Sequence, residues 1–169
     1  GGAVGVQATP VNLVQNGGFE LGDTRFSTDA NPSFTSLPFY DVTGGRDGLT
    51  PRTGARYMYV NGGNDAAADP VIWSQIIGVT NGTTYDFSVA IADWSGGLPK
   101  GELSVRLGGV SFMTLTAPAT QDTWSLQTGQ VTATATGLTT LELIELSTGF
   151  GGNDYGLDDI SLTAGASVP

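Results

Sequence analysis

The side chains able to do chemistry in this chain are carboxylates and aromatic rings, because histidine and cysteine are both absent. Lacking histidine, the chain has none of the usual zinc sites, imidazole general bases or Ser-His-Asp triads. Lacking cysteine, it has no thiol chemistry and no disulfides. Lys100 is the only lysine. Glycoside hydrolysis needs two carboxyl groups facing across the scissile bond, about 5 to 9.5 Å apart. No such pair is legible. Glu142 and Glu145 flank Leu143-Ile144 and so project to opposite faces of a strand, and Asp65 and Asp69 sit in a loop of small residues. The sequence reads as a non-enzyme.

Two carboxylates hold more telling positions. Glu20 follows the turn Asn16-Gly17-Gly18, whose carbonyls can serve a hard cation. Asp158 shares strand parity with Ile160 and Leu162 and is expected to point inward. An inward carboxylate is costly unless it is paired, takes backbone N–H bonds or binds metal. The alternatives to calcium are that Asp158 pairs with Arg56 or takes backbone N–H bonds while Glu20 stays solvated. Gly151 to Asp158 also mimics one turn of a calcium-binding β-helix, but a single copy has nothing to stack on.

The aromatic candidates form a sugar platform, in which a ring face meets the C–H face of a pyranose and polar neighbours bind the hydroxyls. Trp94 shares parity with Ser88, Ala90 and Ala92, a small and polar strand face. It is expected to line a shallow groove with Glu102 and Arg106 of the next strand, joined by Tyr40, Tyr57 and Tyr59. The opposing expectation is that Tyr57 and Tyr59 are core and that Trp94 covers the open end of the domain. Trp73 and Trp124 read as packing residues.

These residues must be positioned by strands. The chain has 169 residues, enough for one domain with a real core. Abundant glycine and threonine with almost no lysine disfavours helices. Alternating runs are expected at 11–14, 39–42, 56–60, 71–79, 84–94, 102–107, 110–115, 124–127, 130–136, 140–146 and 155–163. Asn81-Gly82, Gly96-Gly97 and Gly108-Gly109 mark turns, the first a strong hairpin signal. Short strands at this spacing predict an all-β, two-sheet antiparallel sandwich or jelly roll over residues 11–163, with an arm at 1–10 and a tail at 164–169. The net charge of −10 opposes binding to a phosphate backbone. No apolar run reaches the ~18 residues of a membrane-spanning helix.

In their order, several segments resemble the galactose-binding-like sandwiches, especially carbohydrate-binding modules of families 4, 9, 16 and 22. They are Leu13-Val14-Gln15-Asn16-Gly17-Gly18-Phe19-Glu20, Ser74 to Ile77, Asn81 to Ser88, Trp124, Thr132 to Ala135, and Leu157-Asp158-Asp159-Ile160-Ser161-Leu162. The resemblance implies that Glu20 and Asp158 hold a structural Ca2+, with Asp47 or the backbone of 52–55 completing the shell, and that the domain binds polysaccharide or glycan. The two end runs, Leu13 to Asp23 and Tyr155 to Thr163, alternate with carboxylates beside apolar residues and predict first and last strands that lie side by side.

The ends suggest export. Val6-Gln7-Ala8 approximates a signal-peptide cleavage pattern, a flexible leader being the plainer reading. Ser167-Val168-Pro169 resembles the opening of a PEP-CTERM (exosortase) sorting signal, which implies a secreted bacterial surface or matrix protein. The leading expectation is a non-catalytic glycan-binding module. The alternative is a building block of a surface fibre, layer or biofilm matrix, in which the uncharged arm of residues 1–10 pairs with a neighbour's sheet edge.

Overall fold

The computed structural model describes residues 10–63, 69–146 and 152–165. The expected sandwich is present. Among the described residues it has nine strands: β1 (Phe39–Thr43), β2 (Tyr57–Asn61), β3 (Val71–Val79), β4 (Thr84–Asp93), β5 (Glu102–Leu107), β6 (Val110–Thr116), β7 (Trp124–Thr132), β8 (Gly137–Glu145) and β9 (Tyr155–Ala164). Five form one antiparallel sheet in the order β1-β2-β9-β4-β7, and four form the other in the order β3-β8-β5-β6. The core lies between them. Tyr85, Phe87, Val89 and Ile91 of β4, and Leu157, Ile160 and Leu162 of β9, pack toward Leu103, Val105, Leu141 and Leu143 of the opposite sheet. This is the alternation that period-2 strands require, one face buried and one left for other uses.

Chain neighbours are not always sheet neighbours. The Asn81-Gly82 turn does not close a hairpin. It carries the chain from β3 in one sheet to β4 in the other, with Thr83 N bonded to Thr80 O at 3.1 Å. The connection from β4 to β5 also changes sheets, so only Gly108-Gly109, between β5 and β6, makes the hairpin its glycines suggest. The runs expected at 124–127 and 130–136 merge into the single strand β7.

The opening segment is not a strand of its own. It makes one bridge, Asn12 to Thr163, and runs along the edge of β9. Leu13 N donates to Leu162 O at 2.8 Å and Ile160 N donates to Gly17 O at 3.0 Å. Gly17 must be glycine, since a Cβ there would collide with the Ile160 carbonyl. β2 flanks β9 only over residues 155–157, and the opening segment takes over beyond them. At that change of neighbour β9 bulges, with Asp159 at φ 54° and a register shift opposite Ser88/Ala90. The bulge reverses parity. Leu157 and Ile160 both face the core, so Asp158 faces outward from the sandwich instead of inward as its spacing from Ile160 predicts.

Candidate glycan-binding face

The outer face of the five-stranded sheet is divided in two by the loop that precedes β2. Cross-strand registers set out the floor in rows. These are Thr163–Asp86–Gln130, Ser161–Ser88–Thr128, Asp158–Ala90–Leu126 and Gly156–Ala92–Trp124. Residues 49–56 cross the last two rows as a wall. Trp124 Nε1 donates to Thr50 O at 2.9 Å. Arg52 N and Thr53 N donate to Asp158 Oδ2 at 3.0 and 3.3 Å. Ala55 N and Arg56 N donate to the two Glu20 carboxylate oxygens at 2.6 and 2.8 Å. Gly54, at φ 64°, brings the backbone so close to Glu20 that a Cβ would overlap its carboxylate.

Behind the wall the face is a second core. Phe39, Leu49, Tyr57, Tyr59 and Ala92 are buried together, with Trp94 and Trp124 half-buried against them. Tyr59 stacks on Trp94 with centroids 4.6 Å apart, and Tyr57 meets Trp124 edge to face at 5.7 Å. Leu49 drops from the loop onto Gly156. A Cβ at 156 would lie 2.6 Å from Leu49 Cδ2 and 3.1 Å from the Trp124 ring. The Arg46 guanidinium sits 4.7 Å from the Phe39 centroid and 5.0 Å from that of Tyr59, and pairs with Asp41 at 3.1 Å. Asp47 is engaged here too, accepting the Tyr59 hydroxyl at 2.6 Å. Burial, then that bond, pushes the Tyr59 hydroxyl far above its ordinary range.

In front of the wall the floor is open. Thr163, Asp86, Gln130, Ser161, Ser88 and Thr128, with Leu126 at the foot of the wall, line a depression of about 440 Å3. Leu126 is 49% exposed, whereas Ala90 beside it is fully covered. Gln130 Nε2 donates to Asp86 Oδ1 at 2.8 Å. The volume falls in the range of small-ligand sites, about 300–1,000 Å3.

The predicted platform residues are therefore not one site. Tyr57, Tyr59 and Trp94 come together, but as packing, with Trp94 Nε1 bonded to Val60 O at 2.9 Å. Tyr40 lies on the core side of β1, where its hydroxyl donates to Asp23 at 2.8 Å and burial raises its pKa to about 12. Glu102 and Arg106 belong to β5 in the other sheet, away from Trp94's face, because β4 and β5 do not pair. The floor residues on β7 and β9 went unrecognised in the sequence. Their signal was present as the polar face Asp86-Ser88 of β4, but which strands flank β4 is a matter of topology.

At the seam, Glu20 and Asp158 do converge on one loop. Each accepts backbone amides, the arrangement weighed for Asp158 and not for Glu20. Asp158 Oδ1 also takes Asp159 N at 2.8 Å, and Asp159 is held by Arg52 Nη1 at 3.1 Å and Thr53 Oγ1 at 2.6 Å. Burial first, then the Asp159 charge, raises the Asp158 carboxyl to about 7. Glu20 and Asp158 suit a hard cation in charge, but Asp158 Oδ2 already accepts two amides, which leaves only Asp158 Oδ1 and the two Glu20 oxygens with a lone pair to offer. They do not demand one. Among the described residues the only buried side-chain polar atom without a partner is Trp73 Nε1, in the core. No group of three or more potential metal ligands converges among them either, and Asp47 is bound behind the wall.

A second acid cluster lies at the covered end. Glu145 accepts Gly63 N and the Tyr155 hydroxyl, both at 2.9 Å, and Asp154 accepts Gly62 N at 3.0 Å. Burial raises Glu145 to about 7 and raises Asp154 as well. Nearby, Asp93 pairs with Lys100 at 2.7 Å.

Solved structures share the two-sheet jelly roll. The chain superposes on TmCBM61, solved with β-1,4-galactotriose, with a TM-score of 0.61 at 18% identity over 92% of this chain and 99% of that one. It superposes on the CBM22-1 xylan-binding domain of Paenibacillus barcinonensis Xyn10C with a TM-score of 0.56 at 13% identity over 94% and 95%. A Stig cyclase, Fisc from Fischerella sp. TAU, superposes with a TM-score of 0.68 at 15% identity over 95% and 100%. No protein-family model matches the chain, and no curated protein sequence does. The same fold thus carries sugar-binding domains and a cyclase, and function has to be argued from the site.

Proposed function

We propose that this protein is a non-catalytic, secreted glycan-binding domain of a bacterial surface or matrix, and that its site is the open half of the outer face. The observation that carries this reading is the depression lined by Ser88, Thr128, Ser161, Thr163, Asp86 and Gln130, with Leu126 as an apolar patch at the wall. Hydroxyl, amide and carboxylate groups on neighbouring strands suit the paired hydroxyls of a pyranose. Binding, rather than hydrolysis, is supported by the floor's single carboxylate, Asp86. No helix among the described residues is long and apolar enough to cross a membrane. Affinity electrophoresis against xylan, β-1,4-galactan, arabinan, mannan, mixed-linkage glucan and chitin tests the proposal. Retarded migration that Ser88→Trp abolishes without lowering Tm is expected. No retardation by any of the six, or retardation indifferent to Ser88→Trp, would overturn it.

Calcium enters as part of the same proposal. A cation shared by Glu20 and Asp158 would reinforce the wall by relieving the crowding of acids at the seam. Its binding should raise Tm, with EDTA lowering it by several degrees. An unchanged melt would leave the wall held by its amide bonds alone.

The building-block reading is favoured by a separate observation. An apolar recess of about 220 Å3, lined by Val79, Leu107, Val110, Val131, Ala133 and Leu138 among others, opens at one end of the sandwich. Val110 and Leu138 are exposed there. It is the end where Asn12 meets Thr163; residues 1–9, like 166–169, lie outside the described structure. The uncharged, apolar arm of a second copy suits this recess. Polymers that disappear when residues 1–10 are deleted would support this reading, and a monomer at all concentrations would sink it.

A further inference from the structure

We infer that the open groove prefers glycans bearing free amino groups, accepts neutral ones more weakly and rejects those bearing uronic acids or sulfate. The inference rests on the glycan-binding reading and deepens it. Its basis is a complete account of positive charge. The chain has six lysines and arginines, all within the described residues: Arg25, Arg46, Arg52, Arg56, Lys100 and Arg106. None lines the floor.

Five have side-chain partners or lie on the other sheet, and the sixth, Arg56, is exposed outside the floor. Arg46 lies behind the wall against Phe39 and Tyr59. Lys100 is paired with Asp93, and Arg106 is on the other sheet. Arg25 reaches Gln15. Arg52 is paired with Asp159 at the wall, and Arg56 follows it in the chain with its amide on Glu20. The floor offers Asp86 instead, an exposed carboxylate with Gln130 beside it, on a domain of net charge −10. An anionic sugar entering there would meet a like charge and find no cation to offset its desolvation. An ammonium would gain the local pairing with Asp86, an exposed pair that salt weakens.

Three oligosaccharides on one β-1,4-linked glucosamine backbone test this: the free-amine form, the N-acetylated form, and the N-acetylated form oxidised to the carboxylate at C6. By calorimetric titration at low ionic strength the free-amine form should bind about threefold or more tighter than the acetylated one, the scale of an exposed ion pair. The carboxylate form should not bind. Raising ionic strength to about 1 M, where screening acts within about 3 Å, should erase the amine preference. Asp86→Asn should erase it at low salt too, whereas Glu142→Gln, an equal loss of charge on the opposite sheet, should keep it. Any other ranking of the three sugars, failure of all three to bind, or an unchanged ranking in Asp86→Asn would overturn the inference. Should the six-polysaccharide panel still bind in those cases, the glycan reading stands without it; failure of both ends both.

Discussion

The two halves of the outer face are built on the same strands and have opposite fates. Along β4, exposure alternates through Thr84, Asp86 and Ser88, and then from Val89 to Asp93 every residue is buried. Along β9 the change falls at Asp158–Asp159, and along β7 at Leu126. Nothing in the floor itself forces this. The cause is one loop, which passes from Trp124 over Asp158 to Glu20 and covers one half while leaving the other bare. The contrast shows how a sandwich of this kind can turn half of an outer sheet face into a second core with a few carboxylate–amide bonds. The carboxylates most suggestive of a metal site in the sequence are the ones that hold this divider in place.

The contrast can be broken most directly by truncating one ring of the covered half. Tyr59→Ala should cost about 3–5 kcal/mol, as large aromatic truncations in cores do, and it also strips the partner from Asp47. Urea denaturation measures it, and a loss below 1 kcal/mol would mean that the covered half is not a core.

Acidity provides the next largest effect, and it acts only at the covered end and the wall, where the raised carboxyls lie. The folded Glu145 carboxyl stands at about 7 against an ordinary 4.5, so the fold favours its protonated form. Its share of stability is whole below about pH 4.5 and is lost as pH rises toward 7, by up to about 3 kcal/mol. Asp158 acts with the same sign. The urea midpoint should therefore be higher at pH 5 than at pH 8, and Glu145→Gln should flatten the difference. A midpoint that rises with pH would contradict the buried acid.

Gly156→Ala sharpens the comparison further. The new methyl enters the space between Leu49, Trp124 and Tyr57, and overpacking of this kind costs about 1–3 kcal/mol. Because it lifts the wall from behind, proteolysis within 44–56 should accelerate; an unaltered cleavage rate would argue that the loop is held by Asp158 and Glu20 alone. The smallest effect belongs to the open half. Thr128→Ala should stay within about 0.5 kcal/mol in stability, as exposed positions do, and show itself only in ligand affinity.

Much of the architecture was legible from residue order. β3 and β5 fall where their alternation places them, and Tyr85, Phe87, Val89 and Ile91 face the core as their period demands. The opening and closing segments lie together, as their sequences imply. What misled was local inference carried across a sheet change. Asn81-Gly82 has hairpin chemistry but joins strands of different sheets, and the same error on the next connection put Glu102 and Arg106 beside Trp94. Parity failed at Asp158 because a single bulged residue inverts every later side chain, and no residue in Leu157-Asp158-Asp159-Ile160 announces it.

By itself the sequence determined the layer architecture, the identity of the core faces, the exclusion of histidine and thiol chemistry, and the acidic field around the molecule. These follow from local periodicity and composition, which need no partner. Only the tertiary structure decided which polar face remains open, since exposure depends on where a loop distant in sequence comes to rest. It alone turned Tyr57, Tyr59 and Trp94 into packing and made Ser88, Thr128 and Ser161, from three separate strands, into one floor.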